Sequence, residues 1–219
     1  MKFKHIIFDC DGVLVDSEIV AAEVMAPVLS TFGLSITVKH YLANYTGKTF
    51  RHIFEQFKID QRVDIDMLIK NVEERVYTDL RPVDGIIDVV RAIELPKSVV
   101  SNSALSQIKH AVESIELADE FLFQFSSSQV SQPKPSPEVY IYAAEKLGIS
   151  AQDCLVIEDS ISGCTAALDA GMTVIGFCGG KHITPQHQSA LKELGVNEVA
   201  LNSPDLINKI SSIIKSKPE

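Results

Sequence analysis

Five short runs in this chain read as strands, and most of them are near-continuously apolar instead of apolar at every second position. They are residues 5–9 (HIIFD), 97–103 (KSVVSNS), 154–160 (CLVIEDS), 172–177 (MTVIGF) and 197–203 (NEVALNS). A strand with one wet face alternates apolar and polar residues. A near-continuous run needs cover on both faces, as in a parallel sheet packed between helices. Helical signals fall between the runs. Residues 84–93 and 103–115 carry apolar residues at helical spacing. In 136–148, Ser136 stands as N-cap, Pro137 at the first helical position and Gly148 at the stop, and 203–214 repeats the Ser-Pro start. Strand–helix alternation of this kind predicts an α/β fold with a doubly wound parallel sheet.

Residues 17–80 break the alternation. The stretches 17–33, 49–57 and 64–80 show apolar spacing of three to four residues, with no strand signal between them. Pro27 falls inside the first and is expected to kink or break it. Some sixty residues are too many for an ordinary crossover. The chain therefore divides into a core of residues 1–16 and 81–219 and an inserted helical cap, 17–80. The tract 126–137 (SSSQVSQPKPSP) reads as a loop.

Charge narrows the partners. With 20 Lys+Arg against 29 Asp+Glu, the net charge is −9, the wrong sign for a nucleic-acid or anionic-membrane surface. No apolar run approaches the roughly 20 residues of a membrane span, and residues 1–8 lack a secretory signal's apolar core. A cytoplasmic protein with no obligate protein partner is expected. Cys10, Cys154, Cys164 and Cys178 form no C-x-x-C pair, and a chain of this length needs no disulfide. Cys10 lies between two aspartates but reads as a small strand residue facing away from them.

The strand ends are unusually polar. The first run ends in Asp9 and Asp11, the second carries Ser101 and Asn102, the run at 154–160 ends in Glu158 and Asp159, and Lys134 precedes a helix. In an open parallel sheet the carboxyl ends of the strands share one edge, where ligands bind. Carboxylates crowded there are tolerable around a hard divalent cation such as Mg²⁺, which leaves positions for water and a substrate phosphate. Lys134, the Ser101 hydroxyl and a backbone N–H near Asn102 could hold phosphoryl oxygens. Asp9 then becomes a candidate nucleophile, and Asp11 a candidate general acid and base.

These residues resemble the haloacid dehalogenase-like (HAD) hydrolase superfamily. DCDGVLVDSE (9–18) is similar to its first motif, Ser101 in VVSNS to the second, Lys134 in KPSP to the third, and VIEDS (156–160) to the fourth. The stretch 163–177 also follows the family pattern, and the insertion at 17–80 is similar to the cap of the phosphoglycolate phosphatase and β-phosphoglucomutase subgroup. The resemblance implies a Rossmann-like core and a Mg²⁺-dependent phosphomonoesterase. Its substrate would be a small sugar, sugar-acid or polyol phosphate, as for bacterial 6-phosphogluconate-type phosphatases. Asp9 would be the nucleophile and Asp11 the general acid/base. The metal would sit on Asp9, the Asp11 backbone carbonyl and Asp159, with Glu158 at or just behind it. Ser101, Asn102 and Lys134 would bind the phosphoryl group. Asp11 argues against a dehalogenase, which lacks the second aspartate. A β-phosphoglucomutase-like isomerase is the alternative, but Ala21 stands where mutases carry a cap-hinge histidine.

Two stretches stand apart. TGKTF (46–50) contains G-K-T, but Leu42 occupies the position a nucleotide P-loop gives to glycine. It reads as a helix start with Phe50, Ile53, Phe54 and Phe57 packing inward. Lys48 and Arg51, in a segment that faces substrate in related proteins, are candidates to contact its distal group. GGKHITPQH (179–187) reads as a surface loop entering a helix at Pro185, with His182 within reach of the site mouth.

Overall fold

The computed structural model describes residues 3–59 and 62–215. Six strands, β1 (His5–Phe8), β2 (Lys97–Ser101), β3 (Phe123–Ser126), β4 (Cys154–Glu158), β5 (Thr173–Phe177) and β6 (Glu198–Ala200), form one sheet in the order β3-β2-β1-β4-β5-β6. Every pairing is parallel. The strand order reverses beside β1, so β1 and the neighbouring ends of β2 and β4 frame the crevice where such sheets bind ligands.

Two helical layers explain the continuous apolar runs. Ile6 and Phe8 of β1, with Leu155 and Ile157 of β4, pack against α5 (Ile86–Ala92), α6 (Leu105–Ser114) and α10 (Ser203–Lys215). Ile7 and Val156 face the other way, against α7 (Glu138–Leu147), α8 (Ile161–Asp169) and α9 (Pro185–Leu194). Each residue of β1 and β4 is buried whichever face it points to.

The remaining helices, α1 (Ser17–Thr31), α2 (Val38–Tyr45), α3 (Phe50–Gln56) and α4 (Ile65–Thr78), enclose their own apolar cluster around Met25, Leu29, Tyr41, Ile53, Phe54 and Val72. The two segments joining them to the sheet run side by side. Asp16 N–H donates to the Arg81 carbonyl at 3.0 Å, and Val83 N–H to that of Leu14 at 3.0 Å.

The structure corrects several expectations. Helix α1 runs unbroken through Pro27. Pro27 and Glu23, whose carbonyl the missing N–H would have served, both lie on the exposed face, while Val24, Met25 and Leu29 anchor the helix from the other. Helix α7 begins at Glu138, with Pro137 rather than Ser136 as its N-cap. Strand β3 and helix α2 went unread in the sequence. The first is a four-residue edge strand, half exposed, running into the serine-rich tract. The second is eight residues long and buries only Tyr41 and Tyr45.

One core residue gives acid stability a specific origin. His5 is buried on β1, its Nε2 2.8 Å from Ser98 Oγ on β2. Burial pushes its pKa from 6.5 down to about 4. The unfolded chain accepts a proton that the folded imidazole refuses, so the residue's contribution is complete above pH 6.5 and is lost as pH falls toward about 4. His5→Gln should flatten the pH dependence of unfolding free energy across that window, measured by urea denaturation at its two ends. An unchanged slope would assign the acid sensitivity elsewhere.

Candidate active site

Asp9 follows β1 directly, and its backbone N–H still donates to the Ile157 carbonyl of β4 at 2.9 Å. Its carboxylate is therefore delivered to the crevice by the sheet itself. Lys134 reaches it from the loop before α7. Lys134 Nζ donates to Asp9 Oδ1 at 2.7 Å, to Glu158 Oε1 at 3.0 Å and to the Val100 carbonyl at 3.0 Å, and sits 4.9 Å from the centre of the Tyr140 ring. All three ammonium donors are used. The Lys134 backbone is fixed in turn by Asn102, whose Oδ1 accepts from Lys134 N at 3.0 Å and whose Nδ2 donates to Lys134 O at 3.3 Å.

Glu158, the last residue of β4, has both carboxylate oxygens engaged. Oε2 accepts from Ser160 N at 2.6 Å and Ser160 Oγ at 3.0 Å, opposite Lys134 on Oε1. Ser160 also caps α8 by accepting from Gly163 N at 3.0 Å. Gly163 is required here, because a Cβ would fall 1.6 Å from Glu158 Oε1. Gly12 is required for a related reason. Its φ is +80°, and a Cβ would stand 2.1 Å from Asp159 Oδ2.

Asp11 lies on the other side of Asp9. Its Oδ2 accepts from Ser103 Oγ at 2.7 Å and from Ser101 Oγ at 3.4 Å. Cys10 between them is buried in the core beneath α5 and α6, and burial, with Asp11 and Asp9 adding to it, pushes its thiol well above the ordinary range. It stays a neutral packing residue.

The electrostatics leave negative charge uncompensated. Asp9, Glu158 and Asp159 are all buried, with carboxylate oxygens within 4.8 Å of one another. Among the described residues, one lysine, Lys134, stands against Asp9 and Glu158. Burial opposes charge on Lys134, but the Asp9 and Glu158 carboxylates outweigh it and hold its pKa above the ordinary value. Burial raises Asp9 and Asp159 well above the usual carboxylate range, with their carboxylate neighbours pushing the same way. Three oxygen donors with a surplus of negative charge, seated where two glycines leave room for them, fit a hard divalent cation.

These groups open into a cleft of about 1070 Å³ between the sheet edge and helices α1, α2 and α3. Asp9, Asp11, Ser101, Asn102, Lys134, Glu158 and Asp159 all line it, and so does Lys48. Lys48 Nζ lies 5.2 Å from the Tyr45 ring centre. Arg51 does not line it. Its guanidinium pairs with Asp66 at the start of α4, in solvent, and that carboxylate raises its pKa further. Thr49 accepts from His52 N at 3.2 Å as the N-cap of α3, so G-K-T here begins a helix and follows no strand.

Sequence reasoning passed over Ser103, Ser160, Glu18 and His187. Ser103 and Ser160 close the stretches VVSNS and VIEDS, but nothing in the spacing says which side chain each would meet. The loop at 179–187 is on the surface as expected, and His182 turns its side chain into the cleft, with Nε2 2.9 Å from Asp159 Oδ2.

Comparison with known proteins identifies the family. Residues 6–177 match the family described as haloacid dehalogenase-like hydrolase. The 6-phosphogluconate phosphatase of Escherichia coli (strain K12) is 26% identical over 194 residues, covering 84% of this chain and 86% of that protein. Hexitol phosphatase B of the same strain is 27% identical, covering 77% and 81%. The crystal structure of a HAD family hydrolase from Deinococcus radiodurans R1, with bound phosphate and sodium, superposes with a TM-score of 0.86 at 27% identity, covering 100% of this chain and 99% of that one. The family match takes in 172 of 219 residues (177 − 6 + 1), and the chain belongs to the haloacid dehalogenase-like hydrolases.

Proposed function

We propose that this protein is a Mg²⁺-dependent phosphomonoesterase of small phosphorylated metabolites, working through an aspartyl-phosphate on Asp9. The observation that carries the reading is the buried group of Asp9, Glu158 and Asp159 with Lys134 wedged between the first two, at the floor of a cleft large enough for a sugar phosphate. The phosphate bound to the Deinococcus relative and the phosphatase names of the two Escherichia coli relatives support it.

Asp9, Asp159 and the Asp11 carbonyl would hold the cation, with Glu158 behind it, since both Glu158 oxygens already have partners. The bound cation would neutralise the carboxylates and withdraw charge from the phosphoryl oxygens. Ser101 and a backbone N–H near Asn102 hold the phosphoryl group, together with Lys134 once it releases one of its three present partners. A carboxylate oxygen of Asp9 attacks phosphorus, and the bond from phosphorus to the substrate oxygen breaks. Asp11, positioned by Ser103, gives its proton to that leaving oxygen. As a carboxylate it then takes a proton from water, whose oxygen attacks phosphorus. The bond to Asp9 breaks, and inorganic phosphate leaves.

Residues 17–80 act as a cap over a core of 1–16 and 81–219, hinged at the paired segments near Asp16 and Arg81. The cap side of the cleft is lined by the hydroxyl-bearing residues Ser17, Tyr41, Thr46 and Thr49 together with Glu18 and Lys48. Hydroxyl groups with one charge of each sign suit a polyhydroxylated substrate, so a sugar, sugar-acid or polyol phosphate is the class. Ala21 lines the cleft with no group that could move a proton, which weighs against a mutase.

The test is phosphate release from a panel of such compounds with and without Mg²⁺. Metal-dependent release from at least one is expected. Release from none, with isomerisation of β-glucose 1-phosphate in its place, would overturn the hydrolase reading. Lys48→Ala should raise KM for the best sugar-acid phosphate about tenfold, the scale of one charged hydrogen bond, and leave an aryl phosphate unaffected. Arg51→Ala should change neither KM. Equal effects of Lys48→Ala on both substrates would remove it from the distal subsite.

A further inference from the structure

The loop from β5 to α9 places two imidazoles on one residue of the candidate metal site. His182 Nε2 lies 2.9 Å from Asp159 Oδ2, and His187 Nε2 donates to the Asp159 backbone carbonyl at 2.6 Å. The rings stand edge to face, 6.5 Å between centres. One reaches Asp159 through its side chain and the other through its backbone, so together they restrict both the position and the rotation of this carboxylate.

The fold makes specific room for His182. A Cβ at Gly180 would lie 2.7 Å from its Cε1, and a Cβ at Gly12 would lie 3.0 Å from the same atom. Two glycines from separate loops therefore leave the slot that this ring occupies. The loop backbone is tied in as well, Lys181 N–H donating to Asp16 Oδ1 at 3.3 Å. Packing alone does not account for an imidazole here. A carboxylate oxygen accepts, so the Nε2 proton points at Asp159 and Nδ1 carries the lone pair. Nδ1 is buried without a hydrogen-bond partner. Burying an unpaired nitrogen is unfavourable, and an apolar side chain would fill the same slot without that cost. The contact to Asp159 is what the ring contributes.

We infer that His182 and His187 are positioning residues for the divalent cation. They orient Asp159 so that Oδ1, the oxygen His182 does not occupy, is presented to the metal. This rests on the metal reading given under Proposed function. Partners behind a metal ligand commonly change affinity by about 10- to 100-fold when removed, and the same scale applies here.

The test is Mg²⁺ binding to the metal-free full-length protein by isothermal titration calorimetry, with Mn²⁺ electron paramagnetic resonance as a second probe. The variants are His182→Ala, His182→Gln and His187→Gln. His182→Ala should weaken Mg²⁺ binding about 10- to 100-fold. His182→Gln, whose amide nitrogen can take the place of Nε2, should recover most of that loss. Thermal melting in chelator shows that each variant remains folded. If His182→Ala binds Mg²⁺ as tightly as the wild type, or if the alanine and glutamine variants lose affinity equally, the positioning role is wrong while the metal site stands. If the wild type itself binds no Mg²⁺, the metal reading fails and this inference fails with it.

Discussion

Asp9→Asn is expected to lower phosphate release by about 10⁴-fold or more, the scale on which removal of a catalytic nucleophile acts, while the protein stays folded. The substitution keeps the side-chain volume and can still accept from Lys134 at the position where Asp9 Oδ1 now lies 2.7 Å away. What it removes is the anionic oxygen that attacks phosphorus and one charge from the buried carboxylate group. Thermal melting and phosphate release on the same preparation separate the two effects. A folded variant retaining more than a few per cent of wild-type turnover would mean that Asp9 does not form the covalent bond, and the aspartyl-phosphate route would have to be abandoned.

Lys134→Met should be as damaging to activity and, unlike Asp9→Asn, damaging to the fold. Lys134 is the one cation among the described side chains in contact with both Asp9 and Glu158, and both carboxylates are buried. Removing one partner of a buried ion pair leaves the other charge without compensation, at a cost of about 3–5 kcal/mol. Saturating Mg²⁺ should recover part of that loss, because a ligand that binds only the folded state stabilises it by mass action. Lys134→Arg should not rescue turnover. The Val100 carbonyl, Asp9 and Glu158 receive three donors from a single nitrogen, and a planar guanidinium cannot present that geometry. A Lys134→Met protein that melts with the wild type would show that the carboxylates are already neutral or hydrated in the fold.

The fold was largely legible because burial on both faces leaves a strong mark. Ile6, Ile7 and Phe8 are all apolar for the reason that β1 has a helical layer on each side. Where that reason lapses, so does the signal. β3 lies at the sheet edge with Phe123 exposed, and its four residues were absorbed into the serine-rich tract. Pro27 misled in the opposite direction. A local rule forecast a break, and packing on the far face of α1 overrode it.

The site divides in the same way. Asp9, Asp11, Ser101, Lys134, Glu158 and Asp159 are recognisable in the amino-acid sequence, because each ends or follows a strand or precedes a helix, where polar side chains gather at one sheet edge. The sequence by itself therefore determined the sheet, the helical run between β1 and β2 and the polar side chains at the strand ends. Only the tertiary structure decided which neighbours those side chains meet. Lys48 and Arg51 are three residues apart, yet one lines the cleft and the other pairs with Asp66 in solvent. His182 sits 23 residues beyond Asp159, in a loop with no periodicity, and meets it because β4 and β5 are adjacent parallel strands whose loops leave from the same edge. Contacts of that kind depend on strand order and on the space left by glycines such as Gly12 and Gly180. Both arise from the packing of distant segments, which no local pattern records.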